Sequence, residues 1–493
     1  MHDNILKNMN ACVAEGVFFS GLSQCLRFLL QIFNVVFFSH FISPYYHGIF
    51  AIAMFIINSS EIIRDFGFSS AAVQSDDFSF LKMSNLFWLN LLIGFFLSIC
   101  VSLSSYQLEK IYHINGFHSI VCILSLLFIM NGAATQYRAF LIRHFKYREI
   151  VGSDFISQIV GLVIAFSLII LHQGIWALVF QQIFQSLLNL LAIFFFSQWR
   201  PKRYCFKTQM NLLIKYGWKL TVSEILNFFS KNFAQLLLGL KFGPAVLAIY
   251  NRAFQLIAVP MNQLSEPVLT ITMPILSRLQ NDDRSFNNFL FQAQTILGHF
   301  TVFIYFFSFV HAKQIIHLTL GGQWMSCDRV FQMLSLAGIF HFFSFSSYLT
   351  FLSKNMLSRH LMNTVICRSV QILCVFIGTK YGVFGCAAGY LFGMFIQWLF
   401  SFFSVISIPS YPCRKILTSH LRLCFIYGCC MVFSYEISKP FLSDIAHLSF
   451  GVLGFVLTLF VFFLISKSLR NELKLFYNFI RSIKLSKQPL HQI

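Results

Sequence analysis

Charge is what this sequence has least of. Only 11% of its 493 residues are charged, 57% are hydrophobic, and the mean hydropathy is +0.71. Soluble domains run near ~25% charged, so almost none of this chain reads as a soluble domain. Acid is scarcer still, with 17 Asp and Glu against 36 Lys and Arg, a formal charge of +19. The thirteen cysteines include no CxxC pair, which excludes a disulfide framework and a cysteine-based zinc site. No P-loop or glycine-rich phosphate cradle occurs, so nucleotide hydrolysis by the chain itself is not expected. His299, His311, His317 and His341 lack the Asp, Glu or Cys neighbours of a metal site or a nucleophile–base pair, so no catalytic set and no metal are expected. No basic, aromatic-interleaved segment points to nucleic acid. No cleavable leader is expected either: the first apolar run is long, carries Arg27 and lacks a small-residue cleavage site.

What remains is apolar runs of membrane-spanning length. Windows of about 20 apolar residues fall near 13–39, 48–64, 84–104, 117–137, 151–171, 175–196, 215–240, 244–275, 289–311, 330–351, 357–379, 383–406, 421–435 and 441–466. The expectation is an all-α polytopic membrane protein with fourteen transmembrane helices, or twelve to fourteen given the short thirteenth window and the two prolines of the eighth. Placing the N-terminus in the cytoplasm puts twenty-four of the Lys and Arg between spans on that side and six on the other. This is the positive-inside asymmetry, and it predicts both termini to be cytoplasmic. The positive charge therefore reads as topology and contact with anionic membrane lipids. At 467–493, Leu469, Leu473, Phe476, Ile480 and Ile483 alternate with Lys467, Arg470, Lys474, Arg481 and Lys484, the pattern of a basic amphipathic helix on the membrane surface.

The sequence repeats itself at an offset of about 200 residues. Ser43-Pro44-Tyr45-Tyr46-His47-Gly48-Ile49-Phe50 aligns with Gly243-Pro244-Ala245-Val246-Leu247-Ala248-Ile249-Tyr250, each copy joining two spans. Repeats of like orientation are related by an axis along the membrane normal. The expected organisation is two six-helix lobes related by that pseudo-two-fold, plus two extra helices. In residue terms these are an N-lobe (1–196), a basic linker (197–214), a C-lobe (215–406), the extra spans (407–466) and the tail (467–493).

Arg27, Arg64, Lys219, Lys231, Arg252 and Arg368 fall inside apolar windows. A basic residue at mid-membrane costs about 2.5–3.5 kcal/mol, so it usually faces a polar interior. In span one Ser20, Ser23, Gln24, Arg27, Gln31 and Asn34 recur on one helical face; in span seven Thr221, Glu224, Asn227, Lys231 and Gln235 do the same. Span eight adds Arg252, Gln255, Asn262 and Glu266, with Pro260 and Pro267 either bending the helix or opening it onto a cavity. These stripes are candidate walls of a pathway for something anionic. Glu61, Arg64 and Asp65 close span two, as a cytoplasmic gate or a plain helix-end charge cluster; Arg368, with Gln371 one turn on, suits a cavity wall or an interhelical bond.

Several segments together resemble a known family. Arg64-Asp65-Phe66-Gly67-Phe68-Ser69-Ser70-Ala71-Ala72-Val73-Gln74, Tyr250-Asn251-Arg252-Ala253-Phe254-Gln255-Leu256, Pro274-Ile275-Leu276-Ser277-Arg278-Leu279-Gln280 and Gly321-Gly322-Gln323-Trp324 look like bacterial polysaccharide and oligosaccharide-lipid flippases. That family belongs to the multidrug/oligosaccharidyl-lipid/polysaccharide exporter superfamily. The resemblance implies a bacterial inner-membrane protein without enzymatic activity. It would move undecaprenyl-diphosphate-linked oligosaccharide to the periplasmic leaflet by alternating access, for O-antigen, exopolysaccharide or capsule. Arg27, Lys231 and Arg252 would then supply a cationic cavity, and Gln24, Gln31, Asn34, Asn227, Gln255 and Asn262 would meet sugar hydroxyls. Glu224, then Glu266, would serve any H+ or Na+ coupling; no other cofactor is implied. Partners would be the polyprenyl-diphosphate-linked oligosaccharide, membrane lipids, and the polymerase and chain-length machinery. The rival readings are a drug/cation antiporter of the same fold, which would want an acidic cavity, and a membrane-embedded polymerase or acyltransferase, which would want a large external loop or a catalytic His/Asp set.

Overall fold

Where its residues are described, each apolar window lies on a helix, as expected of a chain whose backbone polar groups must be satisfied without water. The computed structural model describes residues 28–65, 80–144, 146–204, 211–408, 411–466 and 469–470. Side chains at 211–220, 222, 223, 226, 262–268, 270, 271 and 357 lie outside the description. In chain order the helices are α1 (Phe28–Phe41), α2 (Pro44–Asp65), α3 (Phe80–Tyr112), α4 (Phe117–Leu124), α5 (Leu126–Arg143), α6 (Tyr147–Ile170), α7 (Trp176–Ser197) and α8 (Asn211–Phe242). There follow α9 (Pro244–Arg278), α10 (Asp283–Val310), α11 (Ala312–Leu320), α12 (Asp328–Ser353), α13 (Leu357–Gly378), α14 (Gly382–Ile406), α15 (Cys413–Ser438) and α16 (Asp444–Ile465). Among the described residues there is no strand.

Three boundaries differ from the hydropathy reading. The fourth window is one span, Phe117–Arg143, divided into α4 and α5 at Ser125, whose hydroxyl bonds those of Ser98 (3.1 Å) and Ser102 (2.9 Å) of α3. α15 is 26 residues long although its window is short, because Arg414 and Lys415 dilute the hydropathy of its first turn. α9 stays helical from Pro244 to Arg278 through Pro260 and Pro267.

The chain divides into two units, Met1–Asn251 and Arg252–Ile493. In the first, α3 crosses α5 where both carry glycine. A Cβ on Gly94 would lie 2.4 Å from the Phe128 carbonyl oxygen, and one on Gly132 2.8 Å from that of Asn90. Small residues allow helices to approach this closely in a membrane, where hydrophobic driving force between helices is absent. Nearby, Met83, Phe87, Tyr137, Leu141, Ile150, Ile193 and Trp199 form a buried cluster joining α3, α5, α6 and α7. The two copies of the repeat also meet within this unit. Gly48 abuts Pro244 so closely that a Cβ there would fall 1.8 Å from the Pro244 oxygen. The α8–α9 turn is made by Gly243 at φ 81°, a conformation that favours glycine.

In the second unit α13 and α14 form a hairpin on a glycine ladder. Cβ atoms on Gly385 and Gly389 would each lie 2.4 Å from a carbonyl oxygen of α13, that of Gly378 and that of Cys374. α15 and α16 pair with each other, and α15 docks on α10 through polar layers. These are Gln294 against His420, His299 against Tyr427 (2.9 Å) and His311 against Ser434 (3.0 Å). His317 of α11 pairs with Asp444 at the start of α16. Three of the four histidines without an evident sequence role, His299, His311 and His317, thus lie where the last two helices attach.

Candidate functional site

α9 carries the best-defined group of predicted site residues. Arg252 donates from Nη1 to Gln255 Oε1 at 2.8 Å, one turn on along the same helix. Its guanidinium carbon sits 5.9 Å from the ring centroid of Trp324, which is fully buried. That distance is within cation–π range. The Tyr-Asn-Arg-Ala-Phe-Gln and Gly-Gly-Gln-Trp segments singled out by resemblance therefore touch. Further along α9, Phe254 meets Tyr390 of α14 edge-on, 5.8 Å between centroids. Phe254, Ile257, Met261, His341 of α12 and Tyr390 line a narrow hollow.

Arg368, whose role was open, makes the same local arrangement as Arg252. Its Nη1 donates to Gln371 Oε1 at 2.7 Å, again three residues on. Gln371 is buried against Gly393, one turn beyond Tyr390 on α14. The second unit therefore presents two Arg–Gln pairs, each arginine held in place by an amide acceptor, and the α13 pair lies against the helix that carries Tyr390. In each pair the acceptor is a neutral amide oxygen. Sequence reading missed Tyr390 and gave His341 no role; as single polar residues in long apolar runs they give no periodic signal.

In the first unit Glu224, Asn227 and Lys231 of α8 are exposed and Gln235 is half-buried, whereas Thr221, expected on the same face, is buried. Asn34 is tied down. It donates to Leu30 O at 2.8 Å and accepts from Gln181 Nε2 of α7 at 2.9 Å, while Gln31 is exposed. Gln24 and Arg27 lie outside the described residues, as do the side chains of Asn262 and Glu266.

Glu61, Arg64 and Asp65 do come together. Arg64 Nε stands 2.9 Å from Glu61 Oε1 and Nη2 4.0 Å from Asp65, while Nη1 donates to Thr135 of α5 at 2.9 Å. This buried arginine fastens α2 to α5. A second ionic tie escaped the sequence reading. Arg138 of α5 binds Asp154 of α6 in a two-bond fork (3.0 and 2.7 Å), and Asn189 of α7 donates to the same carboxylate at 2.8 Å. No group of three or more His, Cys, Asp or Glu able to hold a metal occurs among the described residues.

Among solved structures, the chain is similar to the lipid II flippase MurJ in an inward closed conformation, with TM-score 0.70 and 15% identity, over 91% of this chain and 100% of that one. It is also similar to an inward-facing multidrug resistance MATE family transporter of the MOP superfamily, with TM-score 0.55 and 13% identity over 82% and 95%. These likenesses establish a polytopic helical transporter fold. By sequence it is 19% identical to an uncharacterized membrane protein in the cps region of Klebsiella pneumoniae, over 89% of this chain and 91% of that protein. The lipopolysaccharide biosynthesis protein WzxC of Escherichia coli (strain K12) is 21% identical over 66% of each chain. The succinoglycan biosynthesis transport protein ExoT of Rhizobium meliloti (strain 1021) is 23% identical, again over 66% of each. The model of the polysaccharide biosynthesis protein family matches residues 37–329, more than half of the sequence. This chain, a multi-pass membrane protein, therefore belongs to the polysaccharide biosynthesis protein family.

Proposed function

We propose that the chain is a flippase, a transporter and not an enzyme, which moves a polyprenyl-diphosphate-linked oligosaccharide from the cytoplasmic to the outer leaflet of a bacterial inner membrane by alternating access. The observation that carries this reading is the pair of arginines, Arg252 and Arg368, each oriented by a glutamine one turn on along its helix. A diphosphate cannot cross bare hydrocarbon with its charge unmet. Guanidinium groups match phosphate oxygens in two-bond geometry. A glutamine that fixes the fork leaves fewer rotamers to be lost on binding.

The remaining assignments follow from the same chemistry. Arg27 and Lys231 would add to the cationic path, and Gln24, Gln31, Asn34, Asn227, Gln255 and Asn262 would bond sugar hydroxyls. Glu224 is the first candidate for H+ or Na+ coupling and Glu266 the second. The positive-inside pattern supports cytoplasmic termini, and the products would pass to a polymerase and chain-length machinery. The names of the relatives, which refer to lipopolysaccharide and succinoglycan biosynthesis, support a lipid-linked sugar over an organic cation.

The test is complementation of a strain lacking the gene, reading surface polysaccharide and membrane-inserted protein together. Arg252→Ala and Arg368→Ala should each abolish polysaccharide at normal protein level. Normal polysaccharide in both variants would remove the arginine pair from the mechanism.

A further inference from the structure

Beyond the transport residues, one end of the first unit carries a cleft of about 320 Å³ where the start of α3 and the ends of α5 and α7 converge. Three aromatic side chains wall it, Phe80, Phe140 and Trp199, and three basic ones, His144, Lys146 and Arg200, line it; no carboxylate is among the described lining residues. Its volume lies within the ~300–1,000 Å³ of small-molecule sites.

The basic groups are held, and not merely gathered. Arg200 lies 3.8 Å over the ring of Phe194, and its Nη1 donates to the carbonyls of Phe194 (3.1 Å) and Trp199 (2.8 Å). Those bonds use Nη1 alone. His144 bonds the Phe140 carbonyl through Nδ1 at 2.8 Å and lies 4.0 Å from the Phe140 ring, which fixes the imidazole on the aromatic wall. Trp199 is buried in the cluster with Phe87 and Tyr137. The chain reaches it through Gln198, which adopts φ 53°. A left-handed non-glycine residue is uncommon and retained only where its surroundings demand it. Here the turn folds Trp199 and Arg200 back toward the end of α5.

The surroundings indicate what would occupy the cleft. α3 starts at Phe80 and presents Phe80, Leu81, Leu92, Phe95 and Phe96 as exposed side chains, a lipid-facing strip that begins at the cleft. Trp88 on the same helix anchors to Lys202 O at 2.8 Å, as aromatic residues do at a membrane interface. The basic loops 138–148 and 200–207 belong to the side that the positive-inside rule assigns to the cytoplasm, whose leaflet attracts basic side chains to anionic lipid. An occupant needs a phosphate for the basic wall and acyl chains for the strip.

We infer that this cleft is a binding site for the phosphate of an anionic membrane phospholipid of the cytoplasmic leaflet, distinct from the Arg252 and Arg368 site. The inference stands independently of the flippase reading.

The test is native mass spectrometry of the purified full chain in detergent, titrated with phosphatidylglycerol or phosphatidylcholine. The first phosphatidylglycerol should bind about tenfold tighter than phosphatidylcholine, the scale of one charge-assisted hydrogen bond to phosphate. A His144→Gln/Lys146→Gln double variant should lose that preference, and His144→Gln with Lys146→Arg should largely regain it. An unchanged melting temperature in the double variant separates loss of binding from misfolding; Arg200 is left intact because it also braces the end of α7. Equal binding of the two lipids, or an undiminished preference in the double variant, would overturn the site. Full displacement of phosphatidylglycerol by millimolar inorganic phosphate would overturn the lipid assignment, and no displacement would uphold it.

Discussion

Replacing Gly389 by alanine adds one carbon atom, and the structure gives that carbon nowhere to go. Its Cβ would stand 2.4 Å from the Cys374 carbonyl oxygen and 3.0 Å from the carbonyl carbon, whereas ordinary contact begins at 3.4 Å. The obstacle is backbone, so α13 and α14 must separate by about 1 Å locally. Overpacking of this kind costs about 1–3 kcal/mol, and a rigid carbonyl puts Gly389 at the upper end. Alanine regains about 1 kcal/mol of helix propensity, leaving a net loss of about 2 kcal/mol. Gly152 in α6 and Gly428 in α15 are the controls, since a Cβ at either meets nothing within 4 Å. Alanine there should be neutral or stabilising by up to about 1 kcal/mol. The assay is denaturation in mixed micelles with apparent melting temperature as a second readout. Equal stability of Gly389→Ala and wild type, or equal losses at all three sites, would refute the close-packing argument. Because Gln371 packs on Gly393 of the same ladder, Gly393→Ala should also disturb the Arg368–Gln371 pair and reduce polysaccharide export.

Three further outcomes follow. Asp154→Ala should cost about 2 kcal/mol, more than Arg138→Ala, because it strands both Arg138 and Asn189; Arg138 is partly exposed, which holds the figure below that of a fully buried pair. A double-mutant cycle of His311→Leu and Ser434→Ala should give a coupling energy of about 0.6 kcal/mol, the usual scale of an interhelical hydrogen bond in a membrane, and zero coupling would remove His311 as a docking contact for α15. Asp282 caps α10 by accepting from the backbone N–H groups of Ser285 and Arg284, and a hydrogen bond from the Ser285 side chain, followed by those backbone bonds, holds its carboxyl below the usual carboxylate range. Its folded-state value being depressed, the cap contributes fully above the unfolded-state value and its contribution is lost as pH falls through the folded one. Melting curves on the acid side of neutrality should therefore lose this component in Asp282→Asn, which retains an acceptor oxygen that does not titrate.

The helices were legible in the sequence because a membrane span needs only length and apolarity, and nearly every window has both. What was not legible depended on partners distant in sequence. The division at Ser125 lies where its hydroxyl meets those of α3, 23 and 27 residues away. Asp154 looks like one acid in an apolar run until Arg138 and Asn189 are brought to it. Prolines 260 and 267, which suggested an interruption, lie in continuous helix. Of the site, most of the polar stripe of α8 and the Arg252–Gln255 spacing were readable as helical periodicity. The matching role of Arg368 was not, since only the α13–α14 crossing brings Gln371 against the helix that carries Tyr390. His299, His311 and His317 were unreadable for the same reason: each takes its partner from a helix that follows about 120 or more residues later.

The measurement closest to the central claim is translocation by the purified chain in sealed proteoliposomes containing a fluorescent polyprenyl-diphosphate-linked oligosaccharide, with an impermeant reagent reporting the accessible leaflet. Wild-type protein should move the lipid between leaflets faster than empty liposomes, and Arg252→Ala/Arg368→Ala should fall to the empty-liposome rate. Wild-type translocation no faster than empty liposomes under any imposed H+ or Na+ gradient would contradict the account.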